Sequence, residues 1–190
     1  MKINAANRLT ILRVFMIPLF LFALWSPWFD GYNRYIAAAV FSLASLTDLI
    51  DGWVARRFNQ ITNFGKFMDP LADKLLVSAA LIALTEAGEI AAWITIIIIS
   101  REFIVTGIRV VAAERGVVIA ADGLAKIKTT AQLFTVIFFI LQFQNINSIF
   151  DITGFALLML TVLLSVVSAC GYIVKNISIF NDNEEGKRSV

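Results

Sequence analysis

Six apolar stretches, each about the length needed to cross ~30 Å of hydrocarbon as a helix, alternate with short polar connections along this chain. They run about Leu9–Trp25, Arg34–Arg56, Lys66–Glu86, Ile90–Ala113, Ile127–Phe143 and Ile152–Lys175. The connections carry turn-forming residues: Ser26-Pro27, Asp30-Gly31, Asn59 to Gly65, Ala87-Gly88, Asp122-Gly123 and Asn145 to Ser148. The pattern predicts an all-α polytopic membrane protein with six transmembrane helices. Residues 1–180 form one domain and the polar stretch 181–190 a tail. No internal repeat interrupts it. Lys2, Arg8 and Arg13 precede the apolar run Val14–Trp28, and no clean small-residue cleavage site follows. That run is therefore expected to be a retained span and not a signal sequence.

The basic residues set an orientation. Of the sixteen lysines and arginines, only Arg34 falls in or beside the connections expected on the far side. Lys2, Arg8, Arg13, Arg56, Arg57, Lys66, Arg115, Lys126, Lys128, Lys175, Lys187 and Arg188 all fall on the near side, which places both termini in the cytoplasm. Trp25, Trp28 and Trp93 fall near the far interface, where indole rings favour the headgroup level. The second and third helices then meet at the cytoplasmic side.

Composition narrows the chemistry further. Hydrophobic residues make up 59% of the 190 and charged residues 16%, with a mean hydropathy of +0.81. One soluble core could not hide that much apolar surface. A net charge of +2 gives no case for nucleic acid. With no histidine and a single cysteine, Cys170, imidazole sites, cysteine metal sites and internal disulfides are excluded.

Against this apolar background stand Asp48, Asp51, Asp69 and Asp73, four carboxylates within 26 residues. A charge at mid-membrane costs about 2.5–3.5 kcal/mol on insertion scales, so their presence asks for a function. Asp48 and Asp51 lie one helical turn apart, with Gly52 and Ala55 beside them; Gly65, Asp69 and Asp73 recur every fourth residue. A short connection makes the two helices antiparallel neighbours, so the two acidic faces can converge. Converging carboxylates repel, and a divalent cation relieves the repulsion; oxygen-only ligands suit Mg²⁺, Mn²⁺ or Ca²⁺ better than zinc. Gly52, Ala55 and Gly65 leave room for a ligand beside the backbone, although small residues also serve ordinary helix packing. Arg56 offers a fork for a phosphate or, read alone, a cytoplasmic anchor. Pro70 suits a first helical turn, which would start the third helix close to Asp69.

Asp48, Asp51, Gly52, Ala55, Arg56, Gly65, Asp69 and Asp73 match every fixed position of D-x2-D-G-x2-A-R-x8-G-x3-D-x3-D. This stretch resembles the signature of the CDP-alcohol phosphotransferase family. The resemblance implies six transmembrane helices, a homodimer and a polar cavity facing the cytoplasm. It implies transfer of a substituted phosphate from a CDP-linked donor to an alcohol, with release of CMP. By the same resemblance Asp48, Asp51 and Asp69 are metal ligands, and Asp73 is the general base and also touches metal. Gly52, Arg56 and Thr62 match positions that hold the CDP part of the donor. The implied cofactor is Mg²⁺ or Mn²⁺.

Three further clusters bear on the substrates. Asn7, Thr10 and Arg13 recur every third residue before the first span; they form either part of the donor site or an amphipathic start at the interface. Arg101 lies deep in the fourth span with Glu102 beside it and Arg109 two turns on. It is expected to face the interior, either in a site shared with Arg109 or in an ion pair with Glu102 or an aspartate. Lys126 and Lys128 open the fifth span, and cytoplasmic anchoring suits Lys128 more than Lys126. Several cations around a metal-bearing cavity favour a phosphorylated acceptor over choline or ethanolamine, whose charge would want carboxylates or aromatic faces. The stretch Ser100-Arg101-Glu102-Phe103 resembles the bacterial branch of the family that makes phosphatidylglycerophosphate in the cytoplasmic membrane. That likeness implies CDP-diacylglycerol and sn-glycerol 3-phosphate as substrates, membrane lipid as surroundings, and Arg101, Arg109 and Lys126 on the acceptor phosphate. Inositol phosphate or serine as acceptor keeps the same chemistry. A divalent-cation transporter would explain the aspartates but not the arginines, and a structural scaffold would explain neither.

Overall fold

The computed structural model describes residues 5–29, 31–57, 63–114, 123–141 and 148–176; side chains are described there except at 5–10, 48–57, 63–70, 73, 114, 123–126 and 175–176. Among the described residues, six long α-helices follow one another: α1 Ala5–Trp25, α2 Asn33–Arg57, α3 Asn63–Glu86, α4 Ala92–Glu114, α5 Gly123–Leu141 and α6 Ser148–Asn176. One short 3-10 turn, Pro27–Phe29, links α1 to α2. Among the described residues there is no strand, as the apolar pattern predicts.

Each helix lies within a few residues of its predicted place. One start differs in a telling way. α3 begins at Asn63, so Pro70 sits in its second turn and not at its head. Proline removes one backbone donor but leaves the rest of the turn intact, and a helix packed among others tolerates it. Pro18 inside α1 is a second case. At the other end of α3 the stop is sharp. Gly88 takes a φ of +77°, which a side chain would strain. The Gly88 amide then donates to the Thr85 carbonyl and the Glu89 amide to the Leu84 carbonyl, each at 3.0 Å, closing the helix in a Schellman motif.

That turn fixes Glu89 for a long-range contact. Arg34, at the start of α2, donates through Nη2 to Glu89 Oε1 at 2.6 Å and through Nη1 to the Phe139 carbonyl at 3.5 Å. The start of α2, the α3–α4 turn and the end of α5 therefore share one end of the bundle. Trp25, Trp28 and Trp93, each at least half exposed, belong to the C-terminus of α1, the adjoining turn and the start of α4.

Packing divides the bundle into two flanks. α1 lies on α2 and α3, while α6 lies on α4 and α5; α2–α5, α3–α4 and α3–α5 contacts join them. In the core of α2 and α3, Ala37, Ala44 and Ala80 are fully buried, and Phe20 of α1 meets Phe41 of α2 at 5.9 Å between ring centres. Small residues let helices approach closely where apolar surroundings supply no net drive to associate. Hydroxyl pairs add specificity: Thr85–Thr95 joins α3 to α4 at 2.6 Å, and Thr135–Thr161 joins α5 to α6 at 2.8 Å.

Large apolar side chains also point outward from every helix. Phe15, Leu43, Ile82, Ile96, Phe134 and Phe155 are all more than half exposed. Exposed apolar surface on this scale is foreign to a water-soluble monomer. By length and composition, one helix among the described residues, Ser148–Val174, is apolar enough to cross a membrane; Ile11–Trp25 and Ile127–Leu141 are shorter apolar helices.

The α5–α6 contact has no slack at Gly154, where an added Cβ would come within 2.9 Å of a ring carbon of Phe138. Phe138 cannot swing aside freely, because it packs on Phe139 and stacks against Phe150. Gly154→Ala is expected to destabilise the bundle by about 1–3 kcal/mol through overpacking. Thermal unfolding in detergent should show a lower midpoint for Gly154→Ala, and a larger fall for Gly154→Leu.

Candidate active site

Five helices, α2 to α6, enclose a cavity of about 840 Å³. One part of its wall is apolar, with Leu81, Ile98, Leu133 and Ile137. Another part is polar and comes mostly from α4, α5 and α6: Arg101, Glu102, Thr106 and Arg109 on α4, Thr129, Thr130 and Gln132 on α5, and Ser168 and Tyr172 on α6. Ser42, Ser45, Lys74 and Ser78 complete it from α2 and α3.

Arg101 and Arg109, two turns apart on α4, line this one cavity. Arg101 is 9% exposed. Its Nη2 donates to Ser168 Oγ at 2.7 Å and its Nη1 to Glu102 Oε1 at 3.4 Å. Its Nε is buried and makes no hydrogen bond among the described residues. Arg109 donates from Nε to Tyr172 Oη at 3.3 Å, and its guanidinium carbon lies 5.6 Å from the centre of the same ring. The ion pair between Arg101 and Glu102, read from the sequence as an alternative to a shared site, coexists with that site.

Lys128 corrects the sequence reading. It is not a cytoplasmic anchor: only 1% of its side chain is exposed, and it forms an ion pair with Glu102. The physical reason lies in the spacing. Lys128 belongs to a buried stripe of α5 and not to a solvated end. Lys128, Gln132 and Thr135 recur at i, i+4 and i+7, and all three are buried. Arg13 is also buried, at 1% exposure, which removes it from any solvated interfacial face.

Several residues of this wall escaped the sequence reading. Ser168 and Tyr172 sit in a helix that is apolar nearly all round, where periodicity assigns no inner face. Lys74 directly follows Asp73 and was overshadowed by it.

The acidic motif is placed by its backbone. Asp48, Asp51, Gly52, Ala55 and Arg56 lie in α2, and Gly65, Asp69 and Asp73 lie in α3. Those two helices touch, and α1 packs on both. Their side chains, and those of Asn7, Thr10 and Lys126, lie outside the described residues, as does Thr62 altogether. Among the described residues no group of three or more His, Cys, Asp and Glu side chains could hold a metal ion.

A scaffold of six helices around a mixed cavity, with this acidic motif on two adjoining helices, defines the class. The chain matches the CDP-alcohol phosphatidyltransferase family over residues 3–167 and belongs to it. It is 43% identical to the CDP-diacylglycerol–glycerol-3-phosphate 3-phosphatidyltransferase of Bacillus subtilis (strain 168), with 91% of this chain and 95% of the relative covered. It is 36% identical to a probable phosphatidylglycerophosphate synthase of Mycobacterium tuberculosis (strain H37Rv), over 90% of this chain and 81% of the relative. The Escherichia coli (strain K12) CDP-diacylglycerol–glycerol-3-phosphate 3-phosphatidyltransferase is 39% identical, over 70% of this chain and 74% of its own length.

The Lys128–Glu102 pair ties α5 to α4 in an apolar setting. Lys128→Met should lower stability by about 2 kcal/mol, below the roughly 3–5 kcal/mol of an isolated buried pair, because Arg101 still faces Glu102. The double variant with Glu102→Leu should not regain that loss, because it also takes the carboxylate away from the buried Arg101. Melting of the three proteins in one detergent checks both statements.

Proposed function

We propose that the protein transfers the phosphatidyl group of CDP-diacylglycerol to sn-glycerol 3-phosphate, giving phosphatidylglycerophosphate and CMP. Family membership and the printed activity of the relatives support this reading. The observation that carries it is the cavity in which Arg101 and Arg109 stand on one wall, while Val77 and Leu81 of α3 stand on another. The backbone of α3 that carries Asp69 and Asp73 continues into Lys74, Val77, Ser78 and Leu81, which line the cavity.

In the reaction, the primary hydroxyl oxygen of the acceptor attacks the phosphorus that bears the diacylglycerol. A new P–O bond forms, the bond to CMP breaks, and CMP leaves with the electron pair. Asp73 takes the proton from the attacking hydroxyl, since an alcohol is a poor nucleophile at neutral pH. Arg101, Arg109 and Lys126 hold the acceptor phosphate, where a planar guanidinium can engage two oxygens at once. Gly52, Ala55, Arg56, Thr62, Gly65, Asn7, Thr10 and Arg13 receive the CDP end of the donor.

The donor set fits a hard divalent cation. Asp48, Asp51, Asp69 and Asp73 offer only oxygen, the chain has no histidine, and its single cysteine, Cys170, lies far along in α6. Mg²⁺ or Mn²⁺, when bound there, neutralises pyrophosphate charge and makes CMP a better leaving group. The exposed apolar side chains on the described helices support a six-span membrane protein; the distribution of lysine and arginine supports both termini on the cytoplasmic side of a bacterial cytoplasmic membrane, and the resemblance carried by the acidic motif adds a second copy as partner. A transporter of divalent cations is disfavoured by the cationic wall, which would repel its cargo.

Purified protein should release CMP from CDP-diacylglycerol only with glycerol 3-phosphate and Mg²⁺ or Mn²⁺ present, and EDTA should stop it. Product mass with glycerol 3-phosphate, inositol phosphate and serine offered in turn identifies the acceptor; a product with serine alone would sink the assignment. Asp73→Asn should cut turnover by about 10²–10⁴-fold while donor binding stays nearly intact. Undiminished turnover in that variant would remove Asp73 as the base.

A further inference from the structure

We propose that Ser168 and Tyr172 are positioning residues: from α6 they aim Arg101 and Arg109 at the acceptor phosphate and so set the affinity for glycerol 3-phosphate. The inference rests on the reading of those two arginines given above.

The two residues are four apart, on one face of α6, and both line the cavity. The arginines are eight apart on α4, again on one face. The two helices pack together, so each arginine meets its own α6 partner. A guanidinium carries five N–H donors, and the partners chosen here leave most of them available. Tyr172 takes only the Nε of Arg109, at 3.3 Å, and its ring lies against the guanidinium. Among the described residues, neither terminal nitrogen of Arg109 is taken by Tyr172, which leaves them to act as a fork. Arg101 is held at two corners, by Ser168 at 2.7 Å and by Glu102 at 3.4 Å. Lys128 in turn pairs with Glu102 and restrains that carboxylate. A free arginine side chain has much rotamer freedom to lose on binding an anion. Fixing it beforehand improves affinity without adding any contact to the ligand.

Ser168 and Tyr172 touch arginines rather than substrate in this arrangement, so their removal should act on acceptor KM alone. Ser168→Ala and Tyr172→Phe are mild changes, and the phenylalanine keeps the ring beneath Arg109. Each is expected to raise KM for glycerol 3-phosphate by about tenfold, with kcat and the KM for CDP-diacylglycerol within about twofold of the parent. Ser168→Thr, which keeps the hydroxyl, should restore the parent KM. Arg101→Gln and Arg109→Gln are measured alongside. If these raise the acceptor KM and the α6 variants do not, the positioning role is overturned and the acceptor site stands. Parallel loss of kcat and both KM values, with a lower melting point, also overturns it in favour of a structural role. If the arginine variants leave the acceptor KM unchanged, the acceptor site itself is wrong and the positioning role falls with it.

Discussion

Charge held inside an apolar bundle is the constraint on which the rest of this structure depends. Arg13, Arg101 and Lys128 are almost wholly buried, in a protein whose outer surface is studded with phenylalanine, leucine and isoleucine. Such groups are expensive away from water unless partners or a polar cavity receive them. Lys128 is met by Glu102, and Arg101 by Glu102 and Ser168. Arg34 meets Glu89 and a backbone carbonyl at the opposite end. The ion pairs thus bind the fold at one end and organise a site at the other.

The two flanks of the bundle divide the work. Alanine in the core of α2 and α3 permits close approach, and the backbone that carries the four aspartates belongs to this tightly packed side. The cavity opens where α4, α5 and α6 come in, and its cationic residues sit on those later helices apart from Lys74. A site that must combine metal ligands with phosphate-binding cations benefits from this division. The two sets would neutralise each other if they shared one helix face at contact distance. The backbone carries the two sets on different helices, the aspartates on α2 and α3 and the arginines on α4.

Much of this was legible in the sequence, because apolar runs of membrane length admit few alternatives. All six helices fell where the pattern put them, and the family followed from eight fixed positions between Asp48 and Asp73. The misreadings share a cause. Pro70 suggested a helix start because proline favours first turns in water-soluble helices, yet α3 runs through it. Lys128 suggested an anchor because it lies near a helix end beside Lys126; its face, not its depth, decided its fate. Ser168 and Tyr172 gave no signal, since a helix apolar on every side hides which side looks inward. Sequence spacing reveals a helix and a motif more readily than it reveals which neighbour a polar side chain will meet.

Electrostatics gives the last step. Among the described residues, three cationic side chains, Lys74, Arg101 and Arg109, line the cavity with one carboxylate, Glu102. That carboxylate is engaged by Lys128 and Arg101. Among the described side chains that line the cavity, positive charges therefore outnumber negative ones. A lone metal cation would gain nothing from such a wall, and a neutral alcohol would leave it unanswered. The proposed acceptor, with a phosphate at one end and a hydroxyl at the other, suits such a wall because its anion would answer the arginines. Charge on the wall, more than the size of the cavity, is what favours an anionic acceptor in the proposed reaction.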